Sequence, residues 1–219
     1  ARRRAINLDF YTNGHLLTDA LAEALAASEI VGMINFSLDA ATPETYRRIR
    51  GAAFDRVVAK IERLQEHKRR HPAGRLWVSL SFVAMADNIQ ELPQFVELGL
   101  RLGAGRVIVE DMMGWSDPKS PNRPATENPG WPDYVAEARR RAAGTGLRFE
   151  LPERLAGDDP PSQDRPACTC CGWLTGIYVR ADGRVQPCCM VSMDLGHLLE
   201  QPLIENQRFL NAKAHLLRG

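Results

Sequence analysis

The stretch MINFSLDAATPETYRRIRGAAFDRVVAKIERLQEHKRRHPAGRLWVSLSFVAM, residues 33–85, decides the fold. MINFSLD reads as a strand that ends in polar residues. Thr42 then supplies a helix cap and Pro43 opens the helix, with Glu44 and Thr45 in its first turn. Gly51 breaks that helix. A second begins near Phe54 and sets Phe54, Val57, Val58, Ile61 and Leu64 on one face, the spacing of a helix that buries a stripe. LWVSLSFVAM (76–85) is the next strand.

The same alternation extends both ways. Upstream, AINLDFY (5–11) reads as a strand and LLTDALAEALAAS (16–28) as a helix of good formers. Downstream come NIQELPQFVELGLRLG (88–103), a helix in which Pro93 sits in the first turns or bends it, and RVIVEDM (106–112), a strand. WPDYVAEARRRAAGTG (131–146) is a helix and LRFEL (147–151) a last strand. Strand–helix alternation at this spacing predicts an α/β fold around a parallel sheet. Doubly wound sheets and (β/α) barrels share the pattern, and periodicity does not separate them. No G-x-G-x-x-G or G-x-x-x-x-G-K-[ST] follows a strand, which weakens a dinucleotide or P-loop reading. In either architecture ligands sit at the carboxyl ends of the strands. There the sequence places Asn13, Ser37, Asp39, Asp87, Asn88, Glu110 and Asp111.

Composition narrows the class. The 219 residues are 44% hydrophobic and 25% charged, with 28 basic against 27 acidic side chains, which gives no electrostatic case for nucleic acid. Apolar runs fall well short of a membrane span, and the start lacks the apolar core of an export signal. PERLAGDDPPSQDRPA (152–167) reads as a linker between residues 1–151 and a smaller unit, 168–219. That unit opens on strand, Asp182-Gly183 turn and strand, a hairpin signal, and closes on a helix from about Pro202 to Leu216.

All five cysteines lie in this unit: Cys168, Cys170, Cys171, Cys188 and Cys189. An odd number in a chain without an export signal argues for a reducing, cytoplasmic setting, where clustered thiols hold metal. The hairpin returns Cys188 and Cys189 toward the Cys168–Cys171 group, and soft thiolates select iron–sulfur or zinc.

The spacing C-x11-G-x4-C from Cys171 through Gly183 to Cys188, with Trp173, IYVRADGRVQPCC and the later LGHLLEQPL, resembles the opening of the SPASM domain. Upstream, YTNGHLL, INFSLDAATPETYRRIRG with FDRVVAKIERL, VSLSFVAMADNIQEL and LGAGRVIVEDM resemble strands three to six of radical S-adenosylmethionine (SAM) enzymes. The resemblance implies a partial (β/α) barrel that binds SAM and a [4Fe-4S] cluster and generates a 5′-deoxyadenosyl radical. It implies an auxiliary [4Fe-4S] cluster on the cysteine-rich unit, with Cys168, Cys170 or Cys171 as the first ligand and Cys188 and Cys189 following. It also implies a peptide or small-molecule substrate and a reductant such as flavodoxin or ferredoxin.

By the same resemblance, Ser37 and Asp39 lie where the family contacts the ribose and methionine parts of SAM. Asn13 is either a cofactor contact or a turn residue. The family's C-x3-C-x2-C loop, expected to hold the radical-generating cluster on a missing amino-terminal part, has no counterpart among these residues. The sequence therefore reads as a fragment whose first strand is left as an exposed edge, one expected to behave poorly alone. The rival expectation is a non-catalytic α/β binding module with a structural zinc site.

Overall fold

Strand pairing follows chain order. In the computed structural model, which describes residues 8–112, 123–156, 178–180, 182–186 and 194–197, five strands form one parallel sheet in the order β1-β2-β3-β4-β5. They are β1 (Leu8–Thr12), β2 (Val31–Ser37), β3 (Trp77–Ala84), β4 (Arg106–Asp111) and β5 (Arg148–Glu150). Between them run α1 (Asp19–Ala27), α2 (Pro43–Arg50), α3 (Phe54–Arg70), α4 (Leu92–Arg101) and α5 (Trp131–Ala142). Each crossover steps to the next strand with no reversal. A doubly wound sheet needs a reversal, whereas a barrel wall does not. This is the α/β partial barrel.

Parallel strands are normally covered on a face by their crossover helices. Here Ile34, Phe36, Val78, Leu80, Phe82, Val107 and Val109 are buried in one core with the apolar faces of the helices. Phe54, Val57, Val58, Ile61 and Leu64 of α3 are all buried, as the spacing predicts. Thr42 caps α2 through a bond from the Thr45 N–H to its Oγ1 at 3.4 Å. The stretch around Pro93 differs in detail. A 3₁₀ turn (Ile89–Glu91) comes first and α4 proper starts at Leu92, because proline fits the first turn, where its missing N–H costs nothing.

Gly14 ends the turn after β1 at φ +77°. A Cβ there would lie 2.9 Å from Val57 Cγ1 and 3.1 Å from Phe36 Cδ1, so both backbone angle and space call for glycine. The stretch read as linker opens with a helical turn, α6 (Glu153–Ala156), and Leu155 in it is buried.

The chain divides into two compact units, residues 1–160 and 161–219. In the second, β6 (Tyr178–Val179) pairs antiparallel with β7 (Val185–Gln186), and Gly183 takes φ +85° at the turn. The segment around Leu195 and Gly196 bonds back to Val185, and His197 Nε2 sits 2.8 Å from the Asp182 carbonyl. A Cβ on Gly183 would lie 2.5 Å from that ring nitrogen. The five cysteines, Trp173 and the expected closing helix lie outside the described residues. Among the described residues no helix is long and apolar enough to cross a membrane.

β1 has β2 as its one sheet neighbour among the described residues. Leu8 is 37%, Phe10 41% and Tyr11 62% exposed. Even a five-residue edge that exposes Leu8, Phe10 and Tyr11 can template association. The 219-residue chain expressed alone should therefore self-associate as its concentration rises, and Phe10→Lys with Tyr11→Lys should suppress this. Sedimentation velocity measures both, and a wild-type chain that stays monomeric to high concentration would contradict the reading.

Candidate functional site

The sheet has a second face, and it is polar. Residues paired in parallel register point the same way, so Met33, Asn35 and Ser37 of β2 share a face with Trp77, Ser79, Ser81 and Val83 of β3. Arg106, Ile108 and Glu110 of β4 continue it. Asn35 Nδ2 donates to Ser81 Oγ at 2.8 Å, and Ser81 Oγ donates to Ser37 Oγ at 3.4 Å. Arg106 donates from Nε to Ser79 Oγ at 3.0 Å and from Nη2 to Met33 Sδ at 3.3 Å. Its guanidinium lies 5.3 Å from the centre of the Trp77 ring and 3.5 Å from Glu150 Oε2. Asn35 is fully buried, yet its Oδ1 has no hydrogen-bond partner among the described residues. A buried amide oxygen left without a donor is a free-energy cost, and such atoms invite a bound group.

At the carboxyl rim of this face the chain turns through Asp39, an L-residue at φ +59°. Aspartate tolerates the left-handed region better than most residues, at a cost of roughly 1 kcal/mol. The surroundings hold it there. Its Oδ1 accepts from the Val83 N–H at 2.9 Å, its Oδ2 pairs with the Arg50 guanidinium, and its carbonyl accepts from Asn88 Nδ2 at 2.9 Å. Asn88 is fully buried and also binds Met85 N–H and the Val83 carbonyl, so it clasps the loops after β2 and β3 together. Glu91 finishes the arrangement: its carboxylate accepts from Ala41 N–H at 2.8 Å, Thr42 N–H at 3.1 Å and Thr42 Oγ1 at 2.8 Å. These contacts fix where Ser37 stands.

Electrostatics follow from burial. Loss of water pushes the Asp39 carboxyl above its ordinary value, and the Val83 N–H and Arg50 pull it back. Glu110 is also raised, first by burial and then by the charge of Asp39, against Arg106 and Arg50.

Of the residues singled out from sequence, Ser37 and Asp39 meet at this rim. Asn13 lies at the end of β1, exposed, with its Oδ1 accepting from His15 N–H at 3.0 Å. Glu110 and Asp111 do face opposite ways, and Asp111 meets Arg154 at 3.5 Å. Three residues take parts that the strand-end pattern did not foretell. Arg50, in the last turn of α2, is the partner of a buried carboxylate. Asn88 makes no side-chain cap to the turn after it and serves as the clasp. Glu91 holds the start of α2. Among the described residues no group of His, Cys, Asp and Glu is placed to hold a metal ion.

The family model described as the radical SAM superfamily matches residues 1–98. PqqA peptide cyclase of Ruegeria pomeroyi is 30% identical over 200 residues, covering 86% of this chain and 48% of the relative. Mycofactocin maturase MftC of Mycolicibacterium smegmatis is 34% identical over 100 residues, 45% of this chain and 24% of the relative. Streptococcus suis SuiB bound to S-adenosylmethionine superposes with a TM-score of 0.69 at 14% identity, covering 94% of this chain and 50% of that one. SuiB bound to precursor peptide SuiA gives 0.66 at 16% identity, over 94% and 49%. The chain thus spans about half the length of the peptide cyclase it matches.

Removing Arg50 should leave Asp39 buried and unpaired. Arg50→Gln is expected to cost about 3 kcal/mol near neutral pH. The folded protein binds the Asp39 proton more tightly than the unfolded chain does, so stability falls as pH climbs from the ordinary carboxylate range through the raised one. The variant steepens that fall, and its deficit should shrink in mildly acidic buffer. Urea unfolding at several pH values measures it. A deficit independent of pH would contradict the pairing.

Proposed function

We propose that this chain, a member of the radical SAM superfamily, forms part of a cytoplasmic enzyme that modifies a precursor peptide by radical chemistry. One observation carries the reading. The similarity to a peptide cyclase covers 86% of the chain, more than residues 1–160 alone supply, so it runs from the barrel into the second unit. The mycofactocin maturase likeness and the SuiB fold support the same class.

The polar face suits S-adenosylmethionine, a ligand rich in hydroxyl, amine and carboxylate groups. Ser37 Oγ stands at the rim beside Ser81, and the orphaned Asn35 Oδ1 lies on the same face. Ser37 would contact the ribose, and Asp39 would hold the rim loop that presents it. Asn13 would border the same strand ends. Bound S-adenosylmethionine, given one electron from a reductant, would part into methionine and a 5′-deoxyadenosyl radical able to abstract hydrogen from substrate. The residues present do not fit the radical-generating cluster, because no C-x3-C-x2-C occurs among them, and no step is derived through it. Cys188 and Cys189, with Cys168, Cys170 or Cys171, are a soft donor set suited to an auxiliary [4Fe-4S] cluster. A flavodoxin or ferredoxin would deliver electrons.

The test uses the full-length protein, reconstituted without oxygen with iron and sulfide. Reduced in the presence of S-adenosylmethionine, it should release 5′-deoxyadenosine. Ser37→Ala should weaken S-adenosylmethionine binding by about three- to tenfold, the worth of one hydrogen bond. Cys188→Ala with Cys189→Ala should lower the bound iron. A colourless protein with one tightly held zinc, or no 5′-deoxyadenosine from a fully loaded enzyme, would contradict the reading.

A further inference from the structure

Glu110 is the last residue of β4 to point onto the polar face, one row above Ile108 and in register with Val83. It is half-buried, and among the described residues its carboxyl makes no hydrogen bond or ion pair. The cations near it are spoken for. Arg50 is held by Asp39, and Arg106 by Ser79, Met33, the Trp77 ring and Glu150. The charged groups acting on it are Asp39 and Arg50 from the segments after β2 and Arg106 on its own strand. Val83 of β3 is neutral, and Asp111 faces the other way.

A carboxyl in this setting is half-stripped of water with nothing in return. Asp39 repels an anionic ligand, and with both arginines already engaged the carboxyl is left to accept from a ligand N–H. The backbone of a peptide, which repeats N–H groups along its length, supplies such a donor to a carboxyl at a strand end.

We infer that Glu110 is a substrate-contact residue that accepts a hydrogen bond from an amide N–H of the peptide. The inference rests on the peptide-modifying reading and adds to it where in the barrel the peptide is gripped. The amide favours the ionised carboxylate, so peptide affinity rises with pH through the raised titration of Glu110.

The experiment selects binders from a phage-displayed library of random dodecapeptides on the full-length reconstituted protein. The selected peptide is then titrated against wild type, Glu110→Ala and Glu110→Gln, with thermal melts confirming that each variant folds. Glu110→Ala should weaken binding about tenfold or more, the loss of a hydrogen bond to a charged, partly desolvated acceptor. Glu110→Gln keeps a carbonyl acceptor, so it should lose less, about threefold, and its affinity should not vary with pH. Alanine and glutamine variants that both bind within about twofold of wild type, with the pH dependence intact, would overturn the assignment alone. A wild-type protein that enriches no peptide would overturn the peptide-modifying reading and this inference with it.

Discussion

A carboxylate taken out of water must be met by a cation or by N–H donors, and at Asp39 it is met by both. The Arg50 guanidinium comes from the last turn of α2 and the Val83 N–H from the end of β3. The pair therefore ties a helix to two strand ends and holds the turn between them in a left-handed conformation. Asn88 and Glu91 reinforce the same turn from the other side. Ser37, two residues before Asp39, takes its place from this frame.

The frame stands on ordinary barrel construction. One face of the parallel sheet is apolar and covered by helices. The other carries asparagine, serine, arginine and glutamate in matched rows. A sheet face so polar is stable only when its groups satisfy one another or a ligand. Most do satisfy one another. Among the described residues the exceptions are Asn35 Oδ1 and the Glu110 carboxyl.

Local physics was legible in the sequence. The Thr42-Pro43 start, the Gly51 stop and the buried stripe from Phe54 to Leu64 each depend on neighbours within a turn or two. The turn at Gly183 depends on a backbone angle that glycine adopts freely. Periodicity left strand order open, because it carries no information on which strands pair; the resemblance to strands three to six of radical SAM enzymes implied a barrel, and sequential pairing agrees with it. The partners of the site were hidden for the same reason. Asn88 reaches back 49 residues to Asp39, and Glu91 reaches 50 to Ala41. Neither a helix-start pattern nor a run of arginines announces a partner so far away. Asp39 and Ser37 could be singled out because they end a strand in a fold where ligands gather at strand ends. Arg50, in a basic helix, had no such signal.

On the proposed reading, the carboxyl rim of β2 and β3 is where the sugar and amino-acid parts of S-adenosylmethionine would settle. Amide hydrogen exchange on the full-length protein, with and without S-adenosylhomocysteine as an unreactive stand-in, tests this most directly. Protection should rise in residues 36–42 and 81–88 while the helix-facing core stays as it was. Ligand-induced protection confined to other parts of the chain, with these two segments unchanged at saturation, would contradict it.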